Sequence, residues 1–435
     1  MYLMIQNPGV APIEAYTVFG VSTTNESERN VGDDSDLLIG RFGSGNKHAV
    51  NLSLRNSIQP MIFCGLMRLE FYVKSAICDD GLSKTKYGKV HCRMSGKNLE
   101  GKTLKKDKDL SFALEYGIHD WTDISMAMRE FVSNAIDRTI REEGKFLPAI
   151  ENGRLQVAIV EDTQVRAKDG FTRVFIPLTQ EVQQFYNELG KRFLHFSEPE
   201  ISREKILPKR LRNMSAMNTP VVYRKGVFVR EVRSDLPSLF DYNFGDDLAI
   251  DECRNVDDHV VLTCAANLFR TADVESLKKV FSNAIQKNRY WEIEYLPSYS
   301  LNVQYIWDSD LRQKCKENWD NAWKLASGDA LLFEENPGTI NLAADIAALK
   351  GHRVVGLNRS NWSDAAISTN ISQTVKSVLN EHEIEGIEFS EPTKFAQDAV
   401  DIVWEWIKEC GLSFDKQKPL VVGFTNLANA ESEKF

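Results

Sequence analysis

Three polar side chains on one stretch, Glu130, Asn134 and Asp137, have the types and spacing that a metal-assisted nucleotide site needs. At about 100° per residue they fall within about 60° of one another, on a single stripe of the helix predicted around Arg129–Arg138. Asn134 can offer its carboxamide oxygen to Mg²⁺. Glu130, one turn away, can orient or deprotonate a water beside it. Asp137 continues the stripe and is a further candidate for contact with the nucleotide. The plain alternative is a solvated stripe on an amphipathic helix, and this helix alone does not separate the two.

The second group of candidates lies about ninety residues earlier, in Gly40-Arg41-Phe42-Gly43-Ser44-Gly45-Asn46-Lys47. Three glycines precede a segment with helical periodicity at Ala49, Val50, Leu52 and Leu54. A glycine-rich turn feeding a helix N-terminus leaves backbone N–H groups free, and these suit phosphate oxygens. Lys47 would sit in the first turn and could reach the same anion. The spacing is neither G-x-x-x-x-G-K-[ST] nor the dinucleotide fingerprint, because what precedes it reads as a loop rather than a strand. A glycine loop that merely turns the chain would look the same.

The elements that must position these groups follow from pattern. Met128, Phe131, Val132, Ala135 and Ile136 form the apolar stripe opposite the carboxylates, so the helix can dock on a sheet. Thr122 or Asp123 can cap its start, and Arg138 and Arg141 complement the dipole at its end. Residues 62–118 read as antiparallel β-structure, with strands predicted at Met67–Val73, Lys89–Met94 and Leu110–Tyr116. The lysine-rich stretch Lys97–Lys108 reads as an exposed hairpin or loop, a solvated turn before a nucleic-acid contact. Leu155–Val160 is a strand that runs into Glu161-Asp162, and Thr172–Pro177 is another.

Taken in combination, a helix carrying Glu-x-x-x-Asn-Ala-x-Asp, then a strand, then an acidic residue at its end resembles the GHKL, or Bergerat-fold, ATPases. These include gyrase-type topoisomerases, ATP-driven heat-shock chaperones, histidine kinases and MutL-type repair proteins. The resemblance implies Glu130 as the water-activating residue, Asn134 as the Mg²⁺ ligand and Asp162 as the partner of the adenine amino group. Gly40, Gly43, Ser44, Gly45, Asn46 and Lys47 resemble the glycine box that wraps the triphosphate. Two features depart from the family pattern. The glycine box precedes the helix instead of following it, which a circular permutation would explain. The chain is similar in this respect to permuted GHKL proteins among phage-encoded ATPases, sharing Gly20-Val21-Ser22-Thr23, Met128-Arg129-Glu130-Phe131 and Asp169-Gly170-Phe171-Thr172. The usual Asp-x-Gly-x-Gly is also not intact after Asp162, so Asp169 is its rival for adenine.

The fold implied is α/β: a Bergerat-type two-layer sandwich, with helices over a mixed, mainly antiparallel sheet, plus α/β and helical C-terminal regions. The predicted domains are a permuted nucleotide-binding domain over 1–180, a middle α+β region over 181–330 that can complete or extend it, and a small C-terminal α/β or helical domain over 331–435. In the middle region Asp241–Asp258 reads as a solvated acidic loop, and Trp319 and Trp323, one turn apart, as core or interface. Helices are predicted at Ile340–Leu349, Ser363–Asn380 and Lys394–Glu409, with a strand at Val354–Leu357 and a polar tail at Asn426–Phe435.

Composition bounds the function. Apolar content of 43% and charged content of 26% are ordinary for a globular chain, and no apolar run approaches the ~18 residues of a membrane span. Seven scattered cysteines without a C-x-x-C pair argue against a zinc site and a disulfide framework, and for a reducing cytoplasm, that of the host if phage-encoded. The net charge of −9 gives no global attraction to nucleic acid. The expectation is an ATPase that binds ATP and Mg²⁺ and uses slow hydrolysis to drive a conformational or dimer-closure switch. A homodimer is implied by resemblance only, and a protein or nucleic-acid client is compatible with the sequence. The competing expectation is a nucleotide-binding scaffold or interaction protein without hydrolysis.

Overall fold

The computed structural model describes residues 1–18, 37–40, 45–79, 81–98, 100–196, 210–213, 219–251, 254–296, 301, 303–328, 330–335 and 351–358. Gly43, Ser44, the helices predicted after residue 335 and the polar tail lie outside these residues. The chain forms two compact units, Met1–Phe269 with Tyr290–Tyr299, and Arg270–Arg289 with Ser300–Phe435. The first unit continues past residue 180 to Phe269.

A seven-stranded sheet organises that unit. Its strands are β1 (Tyr2–Pro8), β2 (Met61–Cys64), β3 (Met67–Asp79), β4 (Lys84–Lys97), β5 (Thr103–Ala113), β6 (Gln156–Val160) and β7 (Phe171–Pro177). They lie in the order β5-β4-β3-β2-β7-β1-β6, with every neighbouring pair antiparallel. Alternation along the strands sends Leu3, Ile5, Leu69 and Phe71 into one core. It turns Met4, Phe63 and Phe175 to the other face, where Val165 and Ala167 pack against them.

Helices cover the first of these faces. In chain order they are α1 (Glu14–Thr17), α2 (Gly45–Arg55), α3 (Ile124–Glu143), α4 (Leu147–Glu151), α5 (Gln180–Asn187) and α6 (Leu189–Arg192). α3 packs on β1 and against α2. Its start is fixed by the Asp123 side chain, which accepts from Ser125 N. It stops at Gly144, whose φ of 72° is open to glycine at little steric cost. Met128, Phe131, Val132, Ala135 and Ile136 are all buried, as the apolar stripe requires. The fold is therefore a two-layer α/β sandwich, as expected from the sequence.

A second sheet of the same unit is β10-β9-β11-β8, built from β8 (Arg210–Asn213), β9 (Val221–Arg224), β10 (Val227–Glu231) and β11 (Phe240–Phe244). Mixed pairing occurs here, since β11 runs parallel to β9. The start of the acidic stretch is not a solvated loop. Asp241 sits in β11 at 5% exposure and accepts from Val221 N at 3.1 Å. Of the two readings of the lysine-rich stretch, hairpin or loop, the structure has the exposed hairpin: Thr103–Lys108 pair with Lys97–Cys92 as the first half of the edge strand β5. An edge strand exposed on both faces carries no apolar alternation, so pattern alone does not reveal it.

In the second unit the helix Val274–Ile285 packs on the helix Ser309–Ser327. Trp319 and Trp323 are fully buried there and meet Phe281 edge to face. Two short parallel strands, β12 (Leu331–Glu335) and β13 (Val354–Asn358), complete what is described of it. Among the described residues no helix is long and apolar enough to cross a membrane.

Candidate nucleotide site

A cleft opens between α3, the start of α2 and the segment that follows β1. Asn7, Tyr16, Asn46, Asn134 and Asp137 are among the side chains that line it. The two sequence motifs meet at its edge. Asn134 Nδ2 donates to Asn46 Oδ1 at 3.0 Å and to the Glu130 carbonyl oxygen at 2.8 Å. Both amide hydrogens are thereby engaged, and Asn134 Oδ1 accepts no hydrogen bond from the described residues.

Gly45 is the first residue of α2, and its Cα rests on the Glu130 carboxylate. A Cβ placed there would run into Glu130 Oε2. Close approach of backbone to a side chain, rather than an unusual φ, is what sets this glycine apart. Glu130 itself is 12% exposed at its side chain. Its Oε1 lies 3.3 Å from Arg254 Nε and 3.5 Å from Arg129 Nε. Arg254 is 8% exposed and has a φ of 66°, a left-handed backbone that a non-glycine residue holds only under local constraint. Its Nη1 is buried and has no hydrogen-bond partner among the described residues.

Asp137 has a different place from the solvated stripe the helix pattern suggests. It is 3% exposed, and its two carboxylate oxygens accept from Ile39 N and Gly40 N, each at 2.7 Å. Burial pushes its carboxyl up to about 6, against the two backbone N–H groups and the nearby Arg254 and Lys225, which favour the charged form. From the opposite side Lys225 Nζ donates to the Leu38 carbonyl at 2.9 Å and pairs with Asp246 at 2.8 Å. Lys225 and Gly226 form the tight β9–β10 turn, with φ of 50° and 75°. The chain immediately ahead of the glycine stretch is therefore held from both sides. Asp137→Asn keeps the shape but turns one acceptor into a donor facing a backbone N–H. A stability loss of about 1–3 kcal/mol is expected, measured as a lower urea midpoint with an unchanged slope.

Other candidates fall elsewhere. Lys47 is in the first turn of α2 but only 1% exposed, is not among the cleft-lining residues, and has its ammonium pulled down to about 8 by burial. Asp162 is exposed in a 3₁₀ turn after β6, and its Oδ1 pairs with the Met1 amine at 2.6 Å. Because Tyr2 pairs with Val160 and Gln6 with Gln156, Asp162 stands at the end of β1 opposite Asn7. Six strand steps separate those ends by roughly 20 Å. Asp169 is at the cleft end, since Gly9 N donates to the Gly170 carbonyl, but it is exposed and its Oδ1 accepts from Gly170 N.

Three residues near the cleft escaped sequence reasoning. Asn7 is 5% exposed at the end of β1 and lines the cleft floor. Thr172, on the neighbouring β7, accepts from Ala11 N and donates to the Gly9 carbonyl, both at 2.8 Å, and so fixes the turn after Asn7. Arg254 is the third. The available signal for the first was Asn7-Pro8-Gly9 closing the apolar run Leu3-Met4-Ile5. Nothing in the sequence ties Arg254 to Glu130.

Among the described residues no cluster of three His, Cys, Asp or Glu side chains could hold a metal ion. The donor set nonetheless fits Mg²⁺ brought in with a nucleotide. Such an ion keeps several waters and takes phosphate oxygens plus one or two protein oxygens, for which Asn134 Oδ1 is open. Set against known proteins, the chain matches no family model, no curated protein and no solved structure.

Proposed function

We propose that the chain binds ATP with Mg²⁺ in this cleft and hydrolyses it slowly, using the nucleotide to switch conformation or close a dimer. The observation that carries this is the meeting of Asn46 with Asn134, 88 residues apart, and of Gly45 with Glu130. Separate polar stripes have no reason to meet in this way; of the four residues Asn46 and Asn134 line the cleft, whereas Gly45 and Glu130 are not among its lining residues. The N-terminus of α2 turns the positive end of its helix dipole toward phosphate. Bound Mg²⁺ would supply charge neutralisation for the phosphates. Asn134 would hold the ion through Oδ1 while its amide keeps Asn46 in place. Glu130 would take the proton of the attacking water.

A second reading, nucleotide binding without turnover, is favoured by one observation: Arg254 already occupies Glu130 Oε1. Phosphate release from purified protein with Mg-ATP decides between them. Calorimetry with a non-hydrolysable ATP analogue tests what both share. Asn134→Ala is expected to weaken analogue binding at least tenfold in Mg²⁺ and to change it little in EDTA. Equal affinities with and without the ion, or no binding by the parent protein, would sink the proposal.

A further inference from the structure

The chain is acidic overall, yet residues 61–113 hold eleven lysines and arginines against six carboxylates. These residues form β2 to β5, away from the cleft. Four of the cations are matched in ion pairs: Arg68 with Glu70, Lys74 with Asp107, Lys84 with Asp79 and Lys89 with Asp109. Lys86, Arg93, Lys97, Lys102, Lys105, Lys106 and Lys108 have no ion pair with a described carboxylate.

The register gathers some of them. On the face turned away from the helices, Lys105 lies opposite Ser95, between the pairs Arg93–Asp107 and Lys97–Thr103. Diagonal neighbours across two strands stand ~7–8 Å apart, a spacing that suits successive phosphates. Lys102, in the adjoining turn, extends the same group. The intervening Ser95 and Thr103 are hydroxyls able to donate to phosphate oxygens.

We infer that this face of β4 and β5, centred on Arg93, Lys97, Lys102 and Lys105, binds the backbone of duplex nucleic acid without regard to sequence. An anionic membrane fits less well, because among the described residues no apolar side chain stands between these cations on that face for insertion between lipids. Base stacking on a single strand fits less well too: the nearby Tyr72 ring is already met by His91, Lys74 and Arg93. The inference does not depend on the nucleotide site.

The bland role of lysines on an edge strand is to prevent pairing with another chain. That role is indifferent to the sign of the charge, whereas phosphate binding is not. The test is therefore the triple variant Lys97→Glu, Lys102→Glu and Lys105→Glu, which keeps the edge charged. Its control, Lys278→Glu with Lys314→Glu and Lys316→Glu, makes the same change in net charge in the second unit. Fluorescence anisotropy with a labelled 30-base-pair DNA duplex is read over 50–200 mM salt, after thermal unfolding has verified that each variant folds. The first variant is expected to bind at least tenfold more weakly, with a salt slope shallower by about 2.7 for three lost phosphates. The control should stay within about twofold of the parent. No binding by the parent at 50 mM salt overturns the inference, as does an equal loss in both variants. Tighter binding to phosphatidylserine vesicles than to the duplex overturns it as well. Should the first variant unfold, Lys97→Gln with Lys105→Gln is expected to reproduce the loss in smaller measure, and unchanged binding there refutes the site.

Discussion

Replacing Glu130 with glutamine is expected to leave ATP binding within about threefold of the parent and to lower phosphate release by roughly 10²–10⁴-fold, the usual contribution of a positioned base. Glutamine is nearly isosteric, so Gly45 keeps its neighbour and the cleft its shape. What is lost is an oxygen able to accept a proton, together with the charge that pairs with Arg254 at 3.3 Å. Single-turnover phosphate release and analogue calorimetry separate the two quantities. If Glu130→Gln turns over at the parental rate, Glu130 is a structural partner of Arg254 and the hydrolytic part of the proposal fails. If binding is lost as well, the carboxylate acts on the fold of the site rather than on water.

Gly45→Val is the second large effect: loss of nucleotide binding by two orders of magnitude or more, with little change in the unfolding midpoint. The asymmetry follows from what the added carbons meet. The nearest atoms are the carboxylate end of Glu130, a flexible side chain that can swing aside. The fold therefore has a cheap escape. The site has none, because the displaced carboxylate and the new methyl groups crowd the first turn of α2, where phosphate would approach its backbone N–H groups. Alanine at the same position should act in the same direction more weakly, since a single methyl displaces only the carboxylate. Analogue calorimetry beside thermal unfolding reads both effects. A Gly45→Val protein that binds the analogue like the parent would show that α2 does not receive phosphate.

Much of the first layer was legible in the sequence because its physics is local. The helical stripe from Met128 to Ile136 needs only a period of 3.6 residues, and Thr122-Asp123 announces a cap, a role that the structure gives to Asp123. The strands Phe171–Pro177 and Gln156–Val160 announce themselves by apolar runs bounded by polar turns. The presence of a glycine-rich approach to a helix was equally plain from Gly43, Gly45 and the periodicity beyond them. Each of these rests on neighbours a few residues apart.

Pairings that span the chain belong to the tertiary structure. β1 inserts between β6 and β7, so Asn7, which lines the cleft, pairs with Thr172 although 165 residues divide them, while Asp162, just after β6, is carried to the other end of β1. No local pattern encodes that adjacency, because a strand's alternation says which face is buried but not which strand lies beside it. Asp137 makes the same point about burial. Its place on the helix gave it a polar stripe, and only the return of Ile39 and Gly40 over that stripe made it a buried acceptor of two backbone N–H groups. Local pattern marked the candidate side chains and the elements that carry them; folding set which of them meet, since convergence across about a hundred residues is governed by sheet order and packing.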